Sequence, residues 1–213
     1  MTCKLKKFRY IPNVLTLIRI LMIPLFLFFF YKGRFVYHLL ALFTFVLASL
    51  TDLIDGSLAR KYKWESSFGR FLDPLADKLL ILTVFFSFAL SHTGSIPLWP
   101  VIVILSRELI ITFLRILAIT KGNEVTTSFP GKLKTAMQMV TIITTLVLLN
   151  IKTLLLEQGI VKMPHHRFFW EAVLGRTGLI LDYLPMGLVM IVMALTVYSG
   201  WLYILNNKRI IRS

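Results

Sequence analysis

Long apolar segments alternate with short polar ones along most of the chain. Six of these segments, each of about 20 residues, are long enough to cross the hydrocarbon layer of a membrane as a helix: 11–30, 36–56, 71–91, 97–119, 132–151 and 184–206. Backbone groups in lipid must find hydrogen-bond partners within their own segment. The pattern therefore predicts an all-α, polytopic protein with six transmembrane helices, forming a single membrane-embedded domain over residues 1–213.

The connections between these segments contain residues that interrupt helices. The pairs and runs expected in connections are Lys32-Gly33, Gly94 to Pro97, Gly122-Asn123 and Pro130-Gly131. Residues 152–183 are predicted to form an extended non-cytoplasmic loop, whose mostly apolar part near 168–181 is expected to lie as an interfacial helix. His165 and His166 are interpreted as loop residues rather than metal ligands, because adjacent side chains point in different directions.

The composition is typical of a membrane protein, and the distribution of charge limits which partners are expected. Apolar residues make up 57% of the chain, and 24 Lys and Arg face only 10 Asp and Glu, for a net charge of +14. The basic residues lie between apolar segments rather than along one water-exposed face, so no nucleic-acid partner is expected. Lipid headgroups are the expected partner of these basic flanks.

The distribution of basic residues predicts the orientation. With a cytoplasmic N-terminus, the cytoplasmic segments carry 14 Lys and Arg and the opposite side carries 6, the remaining 4 lying inside spans. Both termini are therefore expected in the cytoplasm, with the protein in the cell (inner or plasma) membrane.

Four aspartates lie where the membrane pattern does not favour acids. Asp52 and Asp55 are three residues apart near the end of the second span, and Asp73 and Asp77 are four apart near the start of the third. On a helix each pair shares one face. Because the two spans run in opposite directions, both pairs should meet at the cytoplasmic face.

Four converging carboxylates repel one another, at roughly 4 kcal/mol for a pair about 4 Å apart at an effective dielectric near 20. Bound Mg²⁺ or Mn²⁺, as one or two ions, would relieve this repulsion. The alternative is a solvated network in which the acids pair with nearby basic residues: Arg60, Lys61, Arg70 and Lys78. Gly56 and Gly69 next to the acids would allow close approach of a pyrophosphate or of a neighbouring helix.

Basic residues inside the later spans indicate the charge of a substrate. Arg107 and Arg115 lie in the fourth span, and Lys132 and Lys134 begin the fifth. Such side chains are common phosphate ligands, which favours an anionic acceptor. The alternatives are an ion pair of Arg107 with Glu108 or an aspartate, and extension of the two lysines to lipid headgroups.

The acids and small residues together form one motif: Asp52-x-x-Asp55-Gly56-x-x-Ala59-Arg60, eight residues, then Gly69-x-x-x-Asp73-x-x-x-Asp77. This motif resembles the signature of the CDP-alcohol phosphatidyltransferase family at every fixed position. The resemblance implies that the four aspartates bind one or two divalent ions that hold the pyrophosphate of CDP-diacylglycerol. It also implies that Asp77 accepts the proton of the acceptor hydroxyl, that Gly56, Ala59 and Gly69 line the nucleotide site with Arg60 nearby, and that the protein forms a homodimer.

Three further stretches are similar to the bacterial members of that family that use glycerol 3-phosphate. They are Pro12-Asn13-x-Leu15-Thr16-x-x-Arg19, then Arg107-Glu108 with Arg115, and Gly131-Lys132-x-Lys134-Thr135-x-x-Gln138. The similarity implies that Asn13 and Thr16 contribute to the CDP-diacylglycerol site. It implies glycerol 3-phosphate as the acceptor, held by Arg107, Arg115, Lys132 and Lys134.

Two other functions stay open at this point. A sister enzyme would use the same chemistry with inositol phosphate or serine. A membrane cation carrier would use the aspartates to line an ion path, although a carrier should place acids near the middle of the membrane rather than at one face.

Overall fold

The computed structural model of the chain describes residues 11–62, 67–91, 96–120, 129–158 and 176–206. Side chains are described for 17–51, 78–91, 96–114, 131, 133–158 and 183–206. The described part folds into six helices: α1 (Ile11–Phe30), α2 (Phe35–Tyr62), α3 (Ser67–Leu90), α4 (Leu98–Thr120), α5 (Phe129–Glu157) and α6 (Arg176–Asn206). The predicted all-helical architecture is confirmed, and each predicted apolar segment coincides with one helix.

Several helices continue beyond the apolar segments that predicted them. α2 extends to Tyr62 and α3 begins at Ser67, so the whole aspartate motif except its linker lies on helices. Hydropathy marks only the apolar part of a helix. Polar residues beyond that part can still form the backbone hydrogen bonds of a helix, so the helix extends past its apolar segment. α5 reaches Glu157 and α6 begins at Arg176, so helices occupy both ends of the predicted 152–183 loop, while 159–175, including His165 and His166, lie outside the described residues.

Two of the expected helix interruptions have different outcomes. Gly33 lies between α1 and α2 with a φ of +69°, a backbone conformation that favours glycine. Pro130-Gly131, expected in a connection, instead lies in the first turn of α5, which begins at Phe129. The expectation was wrong at this point because proline lacks an N–H that the first turn of a helix would leave unbonded anyway.

The helices pack as a closed ring. The order of neighbours around the ring is α1, α2, α5, α6, α4, α3 and back to α1, and α3 also contacts α5 across the interior. Both aspartate-bearing helices, α2 and α3, therefore rest on α1. The arrangement places α3, α4 and α5 around one shared interior region.

The interior is apolar over most of its extent. Phe26 and Phe30 of α1 stack on each other with ring centroids 5.5 Å apart, and Phe30 also lies 5.8 Å from Phe88 of α3. Phe45 of α2 and Phe85 of α3 are fully buried in the same cluster. Aromatic contacts of this kind join the first three helices to one another.

The outer surface of the bundle is apolar on every helix. Large apolar or aromatic side chains are 42–64% exposed at one position or more of each helix: Leu21, Phe43, Phe86, Phe113, Val140 and Trp201. A water-soluble protein of this size does not surround itself with such residues. Several serine and threonine hydroxyls in the helices bond to carbonyls of their own preceding turn, as at Thr44 to Leu40 and Ser87 to Thr83, which satisfies them without water.

Within the described side chains, two segments are both long and apolar enough to cross a membrane, Leu133–Glu157 and Tyr183–Asn206. Three shorter apolar segments belong to α1, α2 and α3: Leu17–Phe30, Phe35–Thr51 and Lys78–Leu90. The apolar sequence of α4 contains two charged residues, Arg107 and Glu108. The bundle thus combines apolar outer faces with buried charged side chains, among them Arg19, Glu108 and Lys134.

The contrast between inner and outer faces of α2 is testable with two phenylalanines. Phe45 is fully buried and Phe43 is 60% exposed. We expect Phe45→Ala to lower the free energy of unfolding by about 3–5 kcal/mol, because it leaves a cavity in the interior. Phe43→Ala should change it by less than about 1 kcal/mol, since most of that side chain lies outside the packed interior. Thermal unfolding in detergent micelles measures both; equal losses in the two variants would contradict the assignment of faces.

Candidate functional site

The four aspartates lie at matching heights on two successive helices. Asp55 is seven residues before the last residue of α2 and Asp73 six residues after the first residue of α3, or roughly 10 and 9 Å along the helices. Asp52 and Asp77 are each ten residues from those same ends, about 15 Å. Only four residues connect the two helices, and both helices pack on α1. The two pairs thus lie at similar distances from the helix ends that the linker joins, while their side chains lie outside the described part.

The residues expected at the nucleotide occupy the same ends of the same helices. Gly56, Ala59 and Arg60 lie in the last turns of α2, and Gly69 lies in the first turn of α3. Asn13 and Thr16 lie in the first turns of α1, which packs against both helices. Their side chains are also outside the described part, so their roles stay predictions.

A buried carboxylate forms the centre of the described polar site. Glu108 of α4 is 2% exposed, and its Oε1 accepts a hydrogen bond from the Lys134 ammonium of α5. Its Oε2 lies 3.8 Å from Nζ of Lys78 on α3. Gln138, one helical turn after Lys134, donates its Nε2–H to Glu108 Oε1 at 3.3 Å. One acidic side chain thus connects three helices in the interior of the bundle.

Arg107 approaches the same carboxylate from its own helix. Its Nη1 lies 3.4 Å from Glu108 Oε1, and its Nη2 donates to Ser199 Oγ of α6 at 2.8 Å. The ion pair with Glu108, which the sequence left as the alternative for Arg107, is therefore present. Within the described side chains, the Glu108 carboxylate thus lies close to three cationic groups, those of Lys78, Arg107 and Lys134.

The structure brings together two of the four residues expected at the acceptor phosphate. Arg107 and Lys134 meet at Glu108, and Lys134 is 5% exposed. Arg115 lies two turns after Arg107 on α4, and Lys132 lies in the first turn of α5. The side chains of these last two are outside the described part, so their participation remains a prediction.

Sequence reasoning missed several contributors to this cluster. Glu108 was noted only as a neighbour of Arg107, and Lys78 only as a partner for the aspartates. Gln138 carried no assigned role, and Ser199 was not considered. The available signals were the rarity of an acid inside an apolar span and the one-turn spacing of Lys134 and Gln138. Nothing local in the sequence indicates Ser199, which lies 92 residues from its partner.

Lys78 connects the cationic cluster to the aspartate helices. It directly follows Asp77 in α3, so their Cα atoms are about 3.8 Å apart, and its ammonium lies 3.8 Å from Glu108. The cluster therefore includes the residue that follows Asp77, the aspartate predicted to accept a proton.

Comparison with known proteins agrees with the aspartate motif. Residues 9–205 match the sequence profile of the CDP-alcohol phosphatidyltransferase family. A protein of Mycobacterium tuberculosis named probable phosphatidylglycerophosphate synthase is 42% identical over 137 residues, which is 62% of this chain and 63% of the relative. The CDP-diacylglycerol–glycerol-3-phosphate 3-phosphatidyltransferase of Bacillus subtilis is 40% identical over 147 residues, covering 62% of this chain and 74% of that protein. The protein of the same name from Rickettsia typhi is 42% identical over 130 residues, covering 61% and 71%.

The geometry predicts that removing the central charge destabilises the fold. Glu108→Gln keeps the shape but leaves the buried ammonium of Lys134 and the Arg107 guanidinium without their carboxylate. Breaking a buried ion pair on one side costs about 3–5 kcal/mol, and we expect a loss of that size in the free energy of unfolding.

The matched control is Glu157→Gln, because Glu157 is an exposed carboxylate whose Oε1 accepts from the Phe35 N–H at 2.7 Å, a bond that an amide oxygen can also accept. This control should lose less than about 1 kcal/mol. Thermal unfolding in detergent at one pH and salt concentration compares the two variants. Equal stability of Glu108→Gln and the wild type would show that Glu108 does not balance the buried cations.

Proposed function

Because the chain belongs to the CDP-alcohol phosphatidyltransferase family, we propose that it transfers the phosphatidyl group of CDP-diacylglycerol to sn-glycerol 3-phosphate. The products are phosphatidylglycerophosphate and CMP, and the reaction serves phosphatidylglycerol biosynthesis. Two observations support the proposal: relatives at 40–42% identity are named phosphatidylglycerophosphate synthase or CDP-diacylglycerol–glycerol-3-phosphate 3-phosphatidyltransferase, and a buried cationic cluster includes Lys78, the residue that follows Asp77. The second observation carries it, because a cluster of this charge suits a phosphorylated acceptor.

The metal site proposed for the aspartates uses Asp52, Asp55, Asp73 and Asp77 to hold one or two Mg²⁺ or Mn²⁺ ions. Carboxylate oxygens on rigid helices suit these hard cations, and the matched heights of the two pairs fit a shared site. When bound, the ions would neutralise the pyrophosphate of the lipid substrate. Gly56, Ala59 and Gly69 leave room for the nucleotide, with Arg60, Asn13 and Thr16 beside it.

The chain's own groups then perform the transfer. Arg107, Arg115, Lys132 and Lys134 bind the phosphate of glycerol 3-phosphate and direct its free hydroxyl toward the aspartates. The Asp77 carboxylate accepts the hydroxyl proton as the oxygen attacks the phosphorus of the phosphatidyl group. The bond from that phosphorus to the bridging oxygen breaks, and CMP leaves with its electron pair.

The location follows from the lipid substrate and the apolar exterior. We propose that all six helices cross the cell membrane, inner or plasma, with both termini and the active site on the cytoplasmic side. Exposed apolar side chains on every helix support contact with lipid around the whole bundle. A lipid-linked nucleotide and a soluble phosphate ester meet at such a face. The homodimer belongs to the same proposal and rests on the family.

Other acceptors and the carrier function are weaker candidates. Serine carries no phosphate, so it would not need three cations around one buried carboxylate. Inositol phosphate has the required charge, which leaves it as the closest alternative. The carrier is disfavoured because the chain belongs to a family of phosphatidyltransferases and its interior holds a cationic cluster suited to an anion.

The acceptor is tested by incubating purified protein with CDP-diacylglycerol, Mg²⁺ and one radiolabelled acceptor at a time. We expect label from glycerol 3-phosphate to enter the lipid phase with one CMP released per lipid formed. Inositol phosphate and serine, tested in parallel, should give little incorporation. Incorporation from one of them without any from glycerol 3-phosphate would contradict the proposed acceptor, and absence of CMP release with every acceptor would favour the carrier.

The role of Asp77 is tested by Asp77→Asn, which retains the shape but removes the proton acceptor and a metal ligand. We expect kcat to fall by about 10²–10⁴-fold. Chelation of divalent ions should abolish turnover by the wild type, and added Mg²⁺ or Mn²⁺ should restore it.

Glu157→Gln is again the control, since it changes a carboxylate at the α5 end that contacts the start of α2 rather than the aspartates. This variant should keep wild-type turnover. Normal kcat in Asp77→Asn would refute the assignment of the base.

A further inference from the structure

The side chain of Ser199 is held in one orientation by two partners. Ser199 is 1% exposed on α6, and its hydroxyl donates to the carbonyl of Thr196 at 3.2 Å. With its one hydrogen directed there, the oxygen lone pairs face Arg107, whose Nη2 donates to it at 2.8 Å. The hydroxyl thus acts as a fixed acceptor for one nitrogen of the guanidinium.

The next residue makes space for the same side chain. A Cβ placed on Gly200 would lie 2.7 Å from Nε and 3.2 Å from Cγ of Arg107. These atoms belong to the middle of the arginine side chain, so it could not avoid the contact by moving only its tip. Glycine at this position therefore forms the groove through which Arg107 passes along α6.

Two helices thus hold the guanidinium at two different nitrogens. Ser199 of α6 accepts from Nη2, while Glu108 of α4 lies 3.4 Å from Nη1. A planar guanidinium held at both ends of its fork cannot rotate freely about its long stem. The orientation of Arg107 consequently depends on a helix that contributes none of the predicted substrate ligands.

We propose that Ser199 and Gly200 are positioning residues that orient Arg107 for the acceptor phosphate. The inference rests on the proposed function, because it takes Arg107 as a ligand of glycerol 3-phosphate. Binding by a pre-oriented arginine avoids the loss of side-chain freedom at the moment of binding. The last helix would then determine affinity for the acceptor without touching either substrate.

The test measures steady-state kinetics of Ser199→Ala and Gly200→Ala with each substrate varied in turn. Loss of a hydrogen bond to a charged group corresponds to roughly a tenfold effect or more on affinity. We expect KM for glycerol 3-phosphate to rise about tenfold in either variant. KM for CDP-diacylglycerol and kcat should stay within about twofold, because the interaction contributes to binding of one substrate only.

Two substitutions on the same helix serve as matched controls. Gly187→Ala introduces the same methyl group into α6, but at a position where no atom lies within 4 Å of the added Cβ. Thr196→Val removes a hydroxyl that is as buried as that of Ser199, while keeping the backbone carbonyl that Ser199 contacts. Both controls should keep the wild-type KM for glycerol 3-phosphate.

The outcomes separate this inference from the function it rests on. No incorporation of glycerol 3-phosphate by the wild type would overturn the proposed function, and the inference with it. Wild-type turnover with an unchanged acceptor KM in both variants would overturn the inference alone. A parallel rise in the KM values of both substrates would also overturn the inference, because it would assign Ser199 and Gly200 a purely structural role. The same conclusion would follow if both variants lost thermal stability without a selective change in the acceptor KM.

Discussion

A carboxylate buried among cations inside an apolar bundle is the constraint on which this structure depends. Glu108 is nearly inaccessible, yet it contacts groups from α3, α5 and its own helix. Desolvation makes each of these charges costly when alone, so they are tolerable only together. The carboxylate therefore both joins three helices and stabilises cations inside the bundle.

The ring order of the helices explains why this arrangement is possible. α3 and α5 meet across the interior, and α4 closes the ring between α3 and α6. A charge on the inner face of α4 can therefore reach α3 and α5 at once, while the outer faces present large apolar side chains. The hydrocarbon around such a bundle would strengthen the internal electrostatic contacts by excluding water. The fold separates an apolar exterior from a polar site within a single layer of helices.

The proposed substrates fit the arrangement of the helices. The carboxylates proposed to bind metal lie within ten residues of the ends of α2 and α3 that the four-residue linker joins. The cationic cluster reaches the residue that follows Asp77. The two proposed half-sites, one for a lipid-linked pyrophosphate and one for a soluble phosphate ester, are thus brought to neighbouring positions by α3. α6 contributes by contacting Arg107, because its Ser199 hydroxyl accepts a hydrogen bond from the guanidinium.

The sequence by itself determined the helices and the reaction class. A membrane span is recognised by a long apolar segment, and the aspartate motif by acids three and four residues apart. Both features are local properties of the sequence. Local spacing could not show that Pro130 lies in the first turn of a helix rather than in a connection, since proline is compatible with both. Only the tertiary structure decided that Lys78, Gln138 and Ser199 converge on Glu108 and Arg107. Those contacts join residues 30 to 92 positions apart, and they depend on how the helices are ordered around the ring rather than on any pattern within one helix.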